Sequence, residues 1–385
     1  MSTVFSSVGI FSVAGELTCS RSFVDLDLSF NHQLPRWARK KTRHQDGERC
    51  STLVVTNAAQ VSSSELMNLG RTSLKISKLG IGTLQWGDPG TGFGKSYGEE
   101  DLAKAYDILI QGGVNFFDTA EVYGYQGIQS GTSSEQLIGK FLKQTPRTSG
   151  TPALSPVIAS KFFTIPWSNF LVGGGFRLGR KSLLSALKAS LKRTGLEQFD
   201  LYQIHFPFPT FSNSALMESL KEAVELGLTK AVGVSNYSKD QMEQADDLLA
   251  KNGVPLASNQ VQFSLLCQKP LENGLLRTCK ERNITLIAYS PLASGVLSDK
   301  SFSKTDSRSV QAKPLLEMMC TIGTNHGGKS VSQVALNYLI CKGALPIPGC
   351  KTPEIAKSHL QVLGWRLEDA EVAALEQRKR DLKLN

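Results

Sequence analysis

The strongest constraint on the fold is an alternation of brief apolar segments with longer segments of helical spacing, which continues over most of the chain. Runs such as VNFF, PVIAS and LIAY are continuously apolar, as expected for strands that are covered on both faces. Eight such segments are present, at residues 79–84, 114–118, 157–161, 201–205, 231–235, 257–262, 285–289 and 345–348. Eight strand–helix units in a chain of 385 residues predict an α/β fold, a (β/α)8 TIM-type barrel, rather than an open sheet.

Helices are predicted between these strands because apolar residues recur there at helical spacing. They cover residues 100–110, 135–142, 181–193, 215–226, 239–251, 271–282, 314–322, 331–341 and 353–363. An N-terminal β-hairpin is predicted at residues 68–76, turning at 70–73, and an extra C-terminal helix at 368–383. We therefore expect a barrel domain over residues 67–370 and a helical tail over residues 371–385.

Residues 1–60 differ from the rest, because they are rich in serine, carry a basic cluster at 36–43 and lack any sustained period. This composition indicates a cleavable organelle-targeting segment, plastid ahead of mitochondrion, and hence a chloroplast location. The segment holds more acidic residues than such signals usually do, so the alternative is a disordered tail that carries no targeting signal.

Charge and cysteine content exclude several classes of function. The net charge is +9, but the basic residues are scattered, which indicates a solvated surface and no nucleic-acid partner. No apolar run is long enough for a membrane span. The seven cysteines form no C-x-x-C pair and no cluster with metal-ligand spacing, so we expect reduced thiols and no metal site.

Polar residues end all eight predicted strands, where barrel enzymes place their chemistry. Asp118 ends the second strand and Tyr123 follows in its loop, Lys161 ends the third and His205 the fourth. A phenol has an unperturbed pKa of about 10, and a nearby ammonium lowers that value. We expect Lys161 to act on Tyr123 in this way, Asp118 to keep Lys161 charged, and His205 to bond a substrate oxygen or aid proton transfer. Taken one at a time, Asp118 could be a helix or turn cap and Lys161 a surface charge. His205 could be a core histidine, and Tyr123 an amphipathic residue in the wall of the barrel.

The motifs GTLQWG, FFDTAEVYG, ASKF, QIH, VGVSNY, NQVQFSLL, AYSPLASGVL and PIPGCK occur in this order between about residues 67 and 370. On these motifs the chain resembles the aldo-keto reductase superfamily, and is most similar to plant plastid-targeted reductases related to pyridoxal reductase. The resemblance implies a barrel that binds NADP(H), with Tyr123 as proton donor and Asp118, Lys161 and His205 completing a tetrad. It implies cofactor contacts at Gly82, Thr83, Ser235, Asn236, Gln260, Tyr289, Ser290, Pro291, Leu292, Gly295, Leu297, Gly349 and Lys351.

Two departures from the family pattern concern the cofactor and the acid. Lys351 with Thr352 favours a 2′-phosphate and hence NADPH, but Ile355, Ser358 and His359 stand where relatives often carry adenine-binding side chains. Tyr125 is a rival proton donor, although the spacing from Asp118 favours Tyr123.

Residues 323–330 match the phosphate-binding pattern G-x-x-x-x-G-K-[ST]. Such a loop must follow a strand, whereas the preceding residues have helical spacing. We therefore expect a linker between two helices, with Gly323 as the C-cap of the first. The three glycines at 173–175 are expected to form a loop tip, since no strand directly precedes them.

Together these patterns predict an NADPH-dependent reductase of small aldehydes or ketones. Its substrate pocket is expected to be walled by Trp86, Phe162, Phe163, Trp167, Phe206 and Phe208. A cofactor-loaded regulatory protein of the same fold, as in potassium-channel β subunits, and a nucleotide hydrolase using the GKS stretch are the alternatives.

Overall fold

The structure, a computed structural model, describes residues 62–144, 154–165, 172, 177, 179–208 and 211–384. The predicted targeting segment at 1–60, Trp167 and the glycines at 173–175 lie outside the described residues. Within them, no helix is both long and apolar enough to cross a membrane.

Eight parallel strands form the barrel, and each pairs with the next one along the chain. They are β3 Gly80–Gly82, β4 Phe116–Asp118, β5 Val157–Phe162, β6 Phe199–Ile204, β7 Thr229–Ser235, β8 Leu256–Gln262, β9 Thr285–Tyr289 and β10 Leu345–Pro346. Gly82 pairs with Gly349 and donates its N–H to the carbonyl of Pro348 at 3.0 Å, which links the last strand back to β3. The predicted barrel class is therefore confirmed.

The helices follow the predicted order around the barrel. They are α1 Glu99–Gln111, α2 Ser134–Gln144, α3 Arg180–Thr194, α4 Asn213–Glu225, α5 Lys239–Ala250, α6 Lys269–Glu272, α7 Leu275–Glu281, α8 Ser307–Asn325, α9 Val331–Cys341, α10 Pro353–Leu360 and α11 Asp369–Asp381. The single helix predicted at 271–282 is wrong, because Gly274 adopts φ of 76° and separates α6 from α7. The helix predicted at 314–322 is longer than expected, because it begins at the Asp306 cap and includes Pro314.

A two-stranded hairpin, β1 Leu66–Asn68 and β2 Lys75–Ser77, lies at the end of the barrel away from the strand carboxyl ends, as its contacts with strand beginnings show. Its Leu69 and Ile76 join an interior apolar cluster with residues from the first half of several barrel strands: Phe116, Val157, Leu201, Ala231, Ala257, Ile287 and Leu345. The hairpin thus fills one end of the barrel, and the chemistry is left to the other.

Strand alternation decides which side chains enter the barrel. On β5, Val157 and Ala159 belong to the interior cluster, whereas Ile158 and Phe162 belong to the layer between strands and helices. Because side chains alternate along a strand, Lys161 points into the barrel like Ala159. By the same alternation on β6, Gln203 points inward and Tyr202 outward.

The stretch with the phosphate-binding pattern follows a helix, as predicted. Its first three residues are the last of α8, which ends at Asn325, and the rest lead to α9, which begins at Val331. The prediction of Gly323 as C-cap is wrong, because the helix continues past it and His326 is the cap. The N–H of Val331 donates to Asp299 and that of Ser330 to Gln333, so two donors that a phosphate would need are already used.

Candidate active site

Three charged or acidic side chains meet at the carboxyl end of the barrel. The Lys161 ammonium is fully buried and donates to Asp118 Oδ2 at 2.5 Å, to the Thr119 carbonyl at 2.9 Å and to the Tyr123 hydroxyl at 3.2 Å. An ammonium has three N–H donors, so all of them are engaged. Lys161 therefore bonds Tyr123 and has no N–H left to donate to Tyr125, the alternative proton donor.

Two glutamines that the sequence did not assign to this role hold Asp118 from the other side. Gln203 and Gln260 both donate their amide N–H to Asp118 Oδ1, at 3.1 Å and 2.8 Å. Gln203 in turn accepts from Ser258 at 3.4 Å. Strand alternation could have placed Gln203 on the inward face of β6, because it stands two residues before His205, but it could not have shown the contact with Asp118.

Burial and charge act in opposite directions on the pKa of Tyr123. Loss of hydration around the hydroxyl raises the pKa above 10, Lys161 lowers it, and Asp118 raises it. Lys161 lowers the pKa of the phenol, as expected, but burial outweighs this effect and the net result is a raised pKa. The lysine offsets part of the desolvation, and the phenol keeps its proton at neutral pH.

The pKa of Lys161 behaves differently, because its counter-ion is so close. Burial alone would lower the pKa, but Asp118 and Tyr123 outweigh it and the net shift is upward. Lys161 is therefore charged, as predicted.

His205 lies beside the phenol, with ring centroids of His205 and Tyr123 5.8 Å apart. Burial and, to a smaller extent, Lys161 lower the pKa of His205 well below its ordinary value, so its imidazole is neutral at physiological pH. Its Nδ1 is buried and has no hydrogen-bond partner among the described residues. A neutral imidazole can donate a hydrogen bond to a substrate oxygen without carrying charge into the site.

The residues expected to hold a nicotinamide carboxamide form one interlocked group. Asn236 donates to the His205 carbonyl at 3.0 Å and to Ser235 Oγ at 3.1 Å, and its Oδ1 accepts from the Tyr289 hydroxyl at 3.0 Å. Ser235 Oγ donates to the Gln260 carbonyl at 2.8 Å. Asn236 also has φ of 61°, a left-handed conformation that asparagine tolerates better than most residues. Lone pairs remain on Asn236 Oδ1 and Ser235 Oγ, which can accept from an amide N–H.

The loop after β9 is unusual in its backbone. Ser290, Ala293, Ser294 and Gly295 all have φ between 49° and 86°. The N–H groups of Ala293 and Gly295 donate within the loop, to the carbonyls of Ser290 and Leu292 at 2.9 Å each, so hydrogen bonds inside the loop hold this backbone. The Lys304 ammonium lies 3.9 Å from the position that a Cβ on Gly295 would occupy, so positive charge stands beside this loop. Pro291, Leu292 and Leu297 belong to the same segment, in which Leu297 is fully buried.

Lys351 follows β10, which pairs with β9, and its side chain reaches the residues that follow β3. It donates to the Thr91 carbonyl at 3.0 Å and lies 5.0 Å from the Tyr97 ring centre. The residues after Lys351 that depart from the family pattern make hydrogen bonds within the protein. His359 is buried and bonded to the Gly349 carbonyl at 3.1 Å, and Gln333 donates to the Ser358 carbonyl at 2.9 Å.

The first strand end contributes less side-chain chemistry than expected. Thr83 is fully buried, and its hydroxyl bonds to the Asp118 carbonyl at 3.0 Å and to Ser134 Oγ at 2.6 Å. The N–H of Gly82 is used in barrel closure. These two residues fix the neighbouring strand that carries Asp118, and Gly82 brings β3 against the segment of Gly349.

Two of the six predicted pocket aromatics are wrong. Trp86 is fully buried, packs against Phe141 at 5.6 Å and donates to the Cys350 carbonyl. Phe162 is fully buried in the outer layer because it follows the inward-pointing Lys161. Phe163 and Phe206 do lie at the site, with ring centroids 5.3 Å and 4.7 Å from that of His205.

Phe208 lines a groove with Pro207, Phe211 and Tyr237, beside the strand ends that carry His205 and Asn236. The thiols of Cys279 and Cys350 are buried, and burial raises the pKa of each to about 12, which suits reduced, unreactive side chains.

The carboxyl mouth of the barrel holds a buried lysine between a carboxylate and a phenol, beside a neutral histidine, and these are side-chain types that enzymes use for acid–base chemistry. The chain matches the Aldo/keto reductase family over residues 78–380. This protein therefore belongs to the aldo/keto reductase family, whose relatives are oxidoreductases.

Individual relatives agree with this assignment. The chain is 36% identical over 316 residues to the chloroplastic pyridoxal reductase of Arabidopsis thaliana, covering 79% of this chain and 83% of the relative. It is 33% identical to an uncharacterized oxidoreductase of Mycobacterium tuberculosis, over 73% of this chain and 82% of that one. A crystal structure of a thermostable aldo-keto reductase with the inhibitor epalrestat aligns with a TM-score of 0.63 and 30% identity, over 81% of this chain and 98% of that one.

Proposed function

We propose that this protein is an NADPH-dependent reductase of small aldehydes or ketones in which Tyr123 is the proton donor. One observation carries the proposal: the buried Lys161 ammonium bonds both Asp118, at 2.5 Å, and the Tyr123 hydroxyl, at 3.2 Å. A positive charge beside a phenol lowers the cost of removing its proton. That is the property a general acid needs when it protonates a developing alkoxide.

Each member of the tetrad has a separate task. Tyr123 donates its proton to the carbonyl oxygen as the carbon is reduced. Lys161 stabilises the phenolate that remains, and Asp118 keeps the lysine charged and oriented. His205, neutral because of its burial, donates a hydrogen bond to the same oxygen and orients the carbonyl. When bound, the nicotinamide supplies the hydride.

The residues around the mouth fit a nicotinamide dinucleotide. The remaining lone pairs of Ser235 and Asn236 suit the N–H groups of a carboxamide, and the ring of Tyr289 stands next to them. The loop over Ser290, Ala293, Ser294 and Gly295 has Lys304 beside it, and this positive charge suits a pyrophosphate.

Preference for NADPH over NADH is part of the proposal and rests on Lys351. Its ammonium is already anchored by Thr91 and by the face of Tyr97, and partial burial lowers its pKa. A lysine in this position can pair with the extra phosphate that distinguishes the two cofactors. His359 and Ser358 are engaged within the protein, so we do not assign them to the adenine.

The substrate class follows from the aromatic rings at the site. Phe163 and Phe206 flank His205, and 36% of Phe206 is exposed, so the mouth offers an apolar surface to an aromatic or apolar carbonyl compound. The Arabidopsis relative is named as a pyridoxal reductase and as chloroplastic. Pyridoxal is therefore the first aldehyde to test, and a chloroplast location reached through a cleavable N-terminal segment remains our proposal.

The experiment is a screen for loss of NADPH absorbance with pyridoxal, aromatic aldehydes and ketones. The Tyr123→Phe variant is the blank, because it keeps the ring and removes the hydroxyl that carries the proton. Turnover that depends on Tyr123 is the expected result. Tight NADPH binding with no turnover on any carbonyl would instead favour a cofactor-loaded regulatory protein of the same fold. Turnover that survives Tyr123→Phe would contradict the assigned proton donor.

A further inference from the structure

Behind the tetrad lies a fully buried ion pair, Glu121 with Arg177, that the sequence did not indicate. Glu121 is 1% exposed and Arg177 is 2% exposed. Arg177 donates to Glu121 Oε1 at 2.5 Å and to Oε2 at 2.6 Å, so the pair is bidentate. Such a pair fixes direction as well as distance, because the guanidinium is planar and its donors diverge at set angles.

The pair brackets the backbone of one residue, Phe163. The Phe163 N–H donates to Glu121 Oε1 at 2.6 Å, and the Phe163 carbonyl accepts from Arg177 at 2.7 Å. Both polar groups of this peptide segment are thus held by the same pair of side chains. The segment cannot shift without breaking charge-assisted hydrogen bonds in a buried place.

Two of the residues in this arrangement are close in sequence to the tetrad. Glu121 is two residues before Tyr123, and Phe163 is two residues after Lys161. The Phe163 ring also packs edge-on against His205, with centroids 5.3 Å apart. The pair therefore ties the loop that carries the proton donor to the strand end that carries the lysine, and the Phe163 ring extends this contact to the histidine.

A buried ion pair contributes little to the stability of the folded state. Desolvation of an ion pair commonly cancels its attraction, and apolar residues of the same volume often serve as well. What an ion pair adds is a defined geometry. That geometry matters here, because a shift of about 1 Å between reacting groups can cost about a hundredfold in rate.

We propose that Glu121 and Arg177 are positioning residues for proton transfer: by holding Phe163 between them they set the distance between the Lys161 ammonium and the Tyr123 hydroxyl. Neither side chain touches the reacting atoms, and both act through the segments that they join. This inference rests on the proposed function of Tyr123 as proton donor.

A second buried pair provides a matched control. Arg193 donates to Glu135 Oε2 at 2.6 Å, and Glu135 Oε1 accepts from Ser160 Oγ at 2.6 Å. Glu135 is 1% exposed, like Glu121. Its contact on β5 is with a side chain that points away from the barrel interior, and it does not bracket the Phe163 backbone. The two carboxylates thus share burial and an arginine partner, whereas Arg193 is 11% exposed and bonds Glu135 through its Nε. The two pairs also differ in what they hold.

The test compares Arg177→Lys and Glu121→Gln with Glu135→Gln, each measured below its melting temperature. Arg177→Lys keeps the charge but loses the bidentate fork and the bond to the Phe163 carbonyl. We expect Arg177→Lys and Glu121→Gln to lower kcat by about tenfold to a hundredfold with little change in the Kd for NADPH. We expect Glu135→Gln to lose thermal stability to a similar degree while its kcat stays within about threefold of the wild type, because Glu135 contacts an outward-facing side chain of β5 and not the backbone that follows Lys161.

The ionisation of Tyr123 gives a readout that does not depend on turnover. Because Arg177→Lys leaves the net charge unchanged, a longer distance between Lys161 and Tyr123 should raise the pKa of the phenol. NMR titration of protein with 13C-labelled tyrosine, with Tyr123 assigned from Tyr123→Phe, would detect this upward shift, and Glu135→Gln should not show it.

The outcomes separate the two proposals. Unchanged kcat and unchanged Tyr123 titration in Arg177→Lys would overturn the positioning role and leave the pair a structural one, as would an equal loss of kcat in Glu135→Gln. Absence of Tyr123-dependent turnover in the wild type would overturn the proposed function alone, since the titration still reports on the pair. If Glu121→Gln does not fold, Arg177→Lys decides the question.

Discussion

The Lys161 ammonium lies 3.2 Å from the Tyr123 hydroxyl, while its bond to Asp118 is shorter, at 2.5 Å. The lysine is therefore held mainly by the carboxylate and presented to the phenol. In Lys161→Met the phenol loses the influence that lowers its pKa and keeps the Asp118 charge that raises it. We expect kcat for carbonyl reduction to fall by about a hundredfold to ten-thousandfold, the range of a lost acid–base contribution. Steady-state kinetics with saturating NADPH measures this, and a kcat within threefold of the wild type would contradict it.

The pH dependence of the two reaction directions should differ in sign. Reduction needs the protonated phenol, and because the pKa of Tyr123 is raised above 10, that form persists through neutral and mildly alkaline pH. The pKa of His205 is lowered well below 6.5, so the histidine adds no transition above that value. We expect kcat for reduction to be flat from about pH 7 to about pH 9, and alcohol oxidation, which needs the phenolate, to rise over the same range. A reduction rate that halves near pH 7 would argue against this assignment.

Gln203 should matter to the chemistry although it is remote from the substrate. It donates to Asp118 Oδ1, and Gln203→Met removes that bond with little change in volume. A less restrained carboxylate holds Lys161 less well, so we expect kcat to fall by about tenfold, which matches the loss of one charge-assisted hydrogen bond. Ser258→Ala, which removes only the weak 3.4 Å bond to Gln203, is the control and should stay close to the wild type.

Cofactor discrimination should depend on Lys351. Lys351→Met should raise the Kd for NADPH by about tenfold or more, as expected for one lost charge-assisted contact, and leave NADH binding nearly unchanged. Lys329→Met is the matched control. Lys329 belongs to the GKS stretch between α8 and α9, and its ammonium lies over the ring of Trp365. It should leave both affinities and turnover unchanged. Cofactor fluorescence titration measures both constants, and equal weakening of NADPH and NADH by Lys351→Met would refute the 2′-phosphate assignment.

The N-terminal hairpin, which fills the end of the barrel away from the strand carboxyl ends, should tolerate no side chain at Gly70. Its φ is 54°, and a Cβ there would lie 2.4 Å from the carbonyl oxygen of Ala257. Gly131 shares a positive φ of 73° but faces open space, so Gly131→Ala isolates the conformational cost of about 1–2 kcal/mol. We expect Gly70→Ala to lose clearly more than this, and denaturant unfolding of the two variants compares them directly. Equal losses would mean that the backbone contact relaxes without cost.

Much of the fold could be predicted from local pattern. Apolar strands such as the one ending at Asp118 and helices beginning with a capping box, such as Ser238 with Gln241, carry their own signals. The helix predicted at 271–282 failed because Gly274 breaks it, and the extent of α8 was missed because Pro314 is tolerated within it. Local propensity does not decide between such cases, since tertiary packing overrides it.

The sequence alone determined the barrel, the order of its strands and which residues end them, because hydrophobic period and chain order are local properties. It thereby brought Asp118, Tyr123, Lys161 and His205 to one rim. Only the tertiary structure decided how those residues are held and charged. Contacts between distant segments, such as Gln203 with Asp118 and Arg177 with Glu121, leave no periodic signal. The raised pKa of Tyr123 likewise results from burial outweighing a neighbouring charge, a balance that exists only once the barrel has closed around it.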